Sequence, residues 1–206
     1  MQKIITKNFS KVIALAFKYI GNIMITKMTE GEPNLVITKS IDQAEGVVVK
    51  PVFIPLTIFT KPSRYVNKVF LHCSDSNVAR HDNIETIKQW HIEGNGWVDV
   101  GYHFFIQSDG TIETGRDIEK KPASQKGHNQ DTISICLHGK NKEDFTVSQI
   151  ESLTNLCQTI NEAYNKDITF HGHCEVSTKP CPVFDYKEVL KLDEKGKFSC
   201  KEFLDN

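Results

Sequence analysis

The chain has 206 residues, 39% hydrophobic and 25% charged, with 25 Lys plus Arg against 26 Asp plus Glu and a formal charge of −1. That length fits one globular domain with a sizeable core and some residues to spare, and argues against two full domains. The balanced charge leaves no basic stripe for nucleic acid, and six cysteines are too sparse for a disulfide scaffold, so most are read as reduced.

At the start of the chain, Lys3, Lys7 and Lys11 precede the apolar run Val12 to Phe17, which Lys18 interrupts. No small-residue cleavage site follows, and Val12 to Ile25 is too short and broken for a spanning helix. An amphipathic helix touching a membrane is compatible with this segment, but export is not required, and a cytoplasmic monomer is expected. Residues 29–66 carry short β-branched runs (Leu35 to Thr38, Val47 to Val49, Val52 to Ile54) broken by Pro33, Pro51, Pro55 and Pro62. They read as an irregular extended arm, so 1–66 is an N-terminal extension and 67–206 the main domain.

From Lys68 the texture is that of an α/β domain. Val69, Phe70 and Leu71 predict a buried strand that delivers His72 at its end. Asp82 with Glu85 predicts a capping-box start to a helix through Ile84, Ile87 and Trp90 to His91, stopped by Gly94 and Gly96. Gly101 to Gln107 and Thr111 to Thr114 predict a hairpin around Ser108-Asp109-Gly110, with Tyr102 and Phe104 on one face of its first strand and His103 and Phe105 on the other.

Further on, Thr132 to His138 alternates as a half-buried strand, with Cys136 read, like Cys157, as a buried small hydrophobe. Thr146 with Gln149 opens a helix whose stripe Ile150, Leu153, Leu156, Cys157, Ile160 and Tyr164 is core. Ile168 to Phe170 makes a short strand running into His171-Gly172-His173, and Tyr186 to Leu192 suggests a last helix. Alternating strands and helices predict an α/β fold with a central mixed sheet flanked by helices.

A catalytic zinc site takes three protein ligands and keeps one open position for water. Imidazole and thiolate both suit the metal, so His72, His173 and Cys181 are able to form such a set. The Pro-containing loop from His173 to Cys181 can turn both side chains toward one point. Spacing alone does not single them out among eight histidines.

The segments Val69 to Ser74 (VFLHCS), Gln89 to Phe105 (QWHIEGNGWVDVGYHFF) and His173 to Phe184 (HCEVSTKPCPVF) go further. They resemble, in order, the zinc N-acetylmuramoyl-L-alanine amidases, above all the bacteriophage lysozyme-type amidases and the animal peptidoglycan-recognition proteins. The resemblance spans roughly residues 67–192 and includes Asp109-Gly110, Glu113, Gly115-Arg116-Asp117 and Gly127-His128-Asn129. It implies the fold already expected and a Zn2+ ion held by His72, His173 and Cys181. It also implies Tyr102 and Lys179 as catalytic residues and hydrolysis of the amide between N-acetylmuramic acid and L-alanine in peptidoglycan.

His173 matches the family's ligand spacing to Cys181 and His171 does not. Cytosolic recycling amidases usually carry a carboxylate as third ligand, so Cys181 points to the phage-like branch. Trp97, Arg116, His128 and Asn129 are the candidates for contact with peptidoglycan or a muropeptide. The loop Ala123-Ser124-Gln125-Lys126 lacks the histidine that lines the groove in many relatives. The resemblance leaves two alternatives open: a module that binds muropeptide without cutting it, and a regulatory protein that binds another macromolecule.

Overall fold

The computed structural model describes residues 59–199 and, as backbone, three earlier strands. The chain divides into two units, Met1–Leu56 and Thr57–Asn206. In the first, β1 (Ile23–Ile25), β2 (Asn34–Lys39) and β3 (Val52–Pro55) form an antiparallel sheet in that order. Two β-branched runs of the expected arm fall on β2 and β3; Val47 to Val49 and the apolar run Val12 to Phe17 lie outside the described residues.

The second unit is built on β4 (Lys68–Cys73), β5 (Phe104–Ile106), β6 (Ile112–Thr114), β7 (Thr132–Leu137) and β8 (Thr169–Gly172). Their order is β6-β5-β7-β4-β8, with β5 and β6 antiparallel and the other neighbours parallel. Helices α1 (Ile84–Gln89), α2 (Val147–Ala163) and α3 (Tyr186–Val189) accompany the sheet. This is the mixed α/β arrangement expected. Among the described residues no helix is long and apolar enough to cross a membrane.

The long helix α2 opens on a capping box in which Thr146 and Gln149 satisfy each other's backbone N–H. Its 3.6-residue period then aligns Leu153, Leu156, Cys157 and Ile160 against Val69, Leu71, Ile133, Ile135 and Leu137 of the sheet. On the opposite sheet face Ile84 and Ile87 of α1 pack with Val100, Phe105 and Cys136. The N-cap of α1 is Asn83, which accepts from Thr86 N, and not Asp82, whose carboxylate is held by the N–H of Ser108. The helix continues as a π-helical turn, Trp90–Gly94. The last helix is shorter than Tyr186 to Leu192 suggests, because the chain turns after Val189 to bridge Leu192 with Phe198.

Two strands differ from their sequence pattern. All six residues of β7 are buried, because it lies between β4 and β5 and both sheet faces are covered there. The hairpin's first strand begins at Phe104, and Tyr102 packs beside Phe105 on the α1 face, away from Phe104. The backbone just before the strand is pinned to the surrounding loops: the Gly101 N–H donates to His91 Nδ1 and the Gly101 carbonyl accepts from Ala123 N. Strict alternation therefore starts two residues later than the sequence implies.

Candidate active site

Because β4 and β8 run parallel, their C-terminal ends deliver side chains to one edge of the sheet. Leu71 pairs with Gly172, so His72 on β4 and His173, just past the end of β8, follow at the next position, and their ring centroids stand 4.7 Å apart. Gly172 has no room for a side chain: an added Cβ would lie 2.5 Å from the Tyr186 ring. After a single 3-10 turn, His173–Glu175, the loop returns until the N–H of Cys174 donates to the Cys181 carbonyl at 2.6 Å. That places Cys181 Sγ 3.9 Å from His72 Nδ1.

The donor atoms of His72, His173 and Cys181 all lie within 4.8 Å of one another. His72 is buried, and that burial, reinforced by His173, holds its pKa down at about 3. Burial and the nearby Lys179 charge lower His173 as well. Both rings are therefore neutral at pH 7, the form in which imidazole donates to a metal. The Cys181 thiol is raised by its hydrogen bond with Cys73 and by burial. Two imidazoles and one sulfur this close together make a donor set of the kind zinc takes.

Tyr102 packs its ring 5.1 Å from that of His72. Burial, and then the sulfurs of Cys136, Cys181 and Cys73, push its hydroxyl well above the ordinary phenol value, so it keeps its proton. His91 stands 5.4 Å beyond Tyr102, and Trp97 4.6 Å beyond His91, so a row of rings leads outward from His72. Lys179 sits exposed on the return loop.

The other expected contacts divide. The Arg116 guanidinium donates to the carbonyls of Lys121 and Val100, and Asn129 Oδ1 accepts from the backbone N–H of Ser124 and Gln125. Both brace loops. His128 is exposed and lines a cleft with Phe70, Thr132, His171 and Glu175. His171 lies outside the donor cluster, with Nδ1 on Glu175 at 2.7 Å and Nε2 on Thr169 at 2.8 Å.

Sequence reasoning missed Gln125, which is buried against His72, and Cys73, whose N–H and thiol both reach Cys181. The position of Cys73 directly after His72 was a signal. Nothing in the loop around Gln125 announced its burial.

The chain is similar to known proteins over this region. Residues 62–184 match the family described as N-acetylmuramoyl-L-alanine amidase. Endolysins of Enterobacteria phage T3 and Escherichia phage T7 are each 38% identical over 140 residues, 65% of this chain and 91% of theirs. Among solved structures, the endolysin N-acetylmuramoyl-L-alanine amidase LysCS from Clostridium intestinale URNW superposes with a TM-score of 0.54 at 29% identity, covering 60% of this chain and 80% of that one. The chain belongs to the N-acetylmuramoyl-L-alanine amidase family. Its activity is amide hydrolysis in peptidoglycan.

Proposed function

We propose that residues 67–206 form a zinc-dependent amidase domain in which His72, His173 and Cys181 hold Zn2+, Tyr102 and Lys179 are catalytic, and peptidoglycan is cut between N-acetylmuramic acid and L-alanine. The observation that carries this reading is the meeting of the three donor groups within 4.8 Å. When bound, zinc lowers the pKa of a water toward about 7 and polarises the amide carbonyl.

The chain's own residues supply the rest. As negative charge builds on the carbonyl oxygen, Lys179 offers a compensating cation whose field already reaches His173. Tyr102 keeps its proton and donates a hydrogen bond to that oxygen or orients the attacking water. Hydrolysis leaves a carboxyl on the lactyl group and an amine on L-alanine. Trp97 presents an exposed ring and His128 a cleft wall to the glycan or stem peptide, while Arg116 and Asn129 act through the loops they brace. A muropeptide-binding module without activity is disfavoured by the meeting of all three donors and by the Tyr102 ring beside His72.

The test is mass spectrometry of purified peptidoglycan after incubation with the zinc-loaded chain. Stem peptides with an L-alanine N-terminus are expected, and they disappear with chelator and with Cys181→Ala. Cleavage within the glycan, or no cleavage at all, defeats the proposal.

A further inference from the structure

Gln125 is 1% exposed, and every polar atom of its side chain is committed. Its Nε2 faces the carbonyl of His128 at 3.3 Å and Thr132 Oγ1 at 3.0 Å. The carbonyl can only accept. The Thr132 hydroxyl gives its own proton to the Asn129 carbonyl at 2.9 Å, so it too accepts from Gln125. The amide orientation is therefore fixed by chemistry: NH2 toward this loop, Oε1 toward the donor cluster.

Oε1 meets His72 Nε2 at 3.2 Å and also accepts from the Ser124 hydroxyl. An amide oxygen has no proton to give, so His72 must carry its proton on Nε2. That leaves the lone pair on Nδ1, the nitrogen 3.9 Å from Cys181 Sγ. Gln125 is itself held rigidly, because its backbone N–H and that of Ser124 both donate to Asn129 Oδ1 at 3.0 Å. A partner that fixes both tautomer and ring orientation of a histidine tunes its affinity for a metal.

We propose that Gln125 is the positioning residue of the metal centre, fixing His72 in the Nε2–H tautomer so that Nδ1 faces His173 and Cys181. This rests on the reading of His72 as a ligand. A neutral amide performs this role without adding a negative charge to a centre whose sulfur becomes a thiolate once a metal binds. The preorganised ring keeps the ion in place while Tyr102 and Lys179 act on the substrate.

Long-range 15N–1H correlation spectra of the full chain, stripped of metal, read the tautomer directly, with the His72 signal assigned by its loss in His72→Ala. A single Nε2–H form is expected in the unsubstituted chain and a mixture in Gln125→Leu. Zinc affinity, measured by competition with a chromophoric chelator, falls about 10- to 100-fold in Gln125→Leu. It falls less in Thr132→Val, which removes one anchor of the amide but leaves the acceptor. A predominant Nδ1–H form in the unsubstituted chain, or unchanged zinc affinity in Gln125→Leu, overturns the role of Gln125. Unchanged zinc affinity in His72→Ala overturns the ligand reading itself.

Discussion

The backbone N–H of Cys73 points at the sulfur of Cys181 from 3.3 Å, so the strand that carries His72 also holds the third donor in place. A backbone donor aimed at sulfur favours the thiolate, the form that binds a metal. Cys181→Ser keeps the size of the side chain while weakening the donor. Zinc content measured on the purified protein is expected to fall well below one ion per chain, and amidase activity to fall with it. Full zinc occupancy with wild-type activity in this variant removes Cys181 from the site.

Lys179 is exposed on its loop, so replacing it leaves the core untouched. Lys179→Met is expected to retain zinc and melting temperature while kcat drops by about 10²- to 10³-fold, the range seen when one group stabilising a developing oxyanion is lost. Steady-state kinetics on soluble muropeptide separate this from binding. A rise in KM alone, with kcat intact, would place Lys179 in substrate capture.

His103 couples stability to pH. It is buried, with Nδ1 accepting from Ser134 N at 3.0 Å and Nε2 donating to the Lys120 carbonyl at 2.9 Å. Burial holds its pKa down at about 4, against 6.5 when exposed. Between those values the unfolded chain binds a proton that the folded chain refuses. The contribution is thus complete above pH 6.5 and is lost as pH falls toward 4, by at most about 3 kcal/mol. Urea denaturation at pH 7.5 and pH ~4.5 checks this: His103→Gln is expected to show a smaller difference between the two pH values than the unsubstituted chain. An equal difference rules out His103 as a source of the slope.

Leu156 is fully buried where α2 meets the sheet. Leu156→Ala is expected to cost about 2–5 kcal/mol, from lost transfer energy and the cavity left behind. Calorimetry on the zinc-loaded chain gives the number. A cost below about 1 kcal/mol means that this helix packs less tightly than its burial implies.

The sequence patterns that came through are those in which one local rule decides. The Thr146 and Gln149 pair fixed the start of α2, and the 3.6-residue stripe fixed its buried face. The apolar run before His72 gave β4, and the turn around Asp109-Gly110 gave the hairpin, with Gly110 at φ +89°. What stayed hidden depends on contacts between distant segments. Asp82 reads as a cap until Ser108, 26 positions away, is seen to claim it. Tyr102 reads as a strand residue until its neighbours are seen pinned by His91 and Ala123. Gln125 draws no notice in the sequence because its partners, His72 and Thr132, meet it only in the fold.

His72 and Cys181 are 109 positions apart along the backbone, yet they share one corner of the sheet. A random coil brings such groups together too rarely to grip an ion, so on the proposed zinc site metal uptake would be linked to folding. At a free zinc level a thousand times the dissociation constant, the linkage adds about 4 kcal/mol to the folded state. With zinc bound there as proposed, the denaturation midpoint would double as a gauge of zinc supply, and removing the metal would soften the β4–β8 corner as well as silence it.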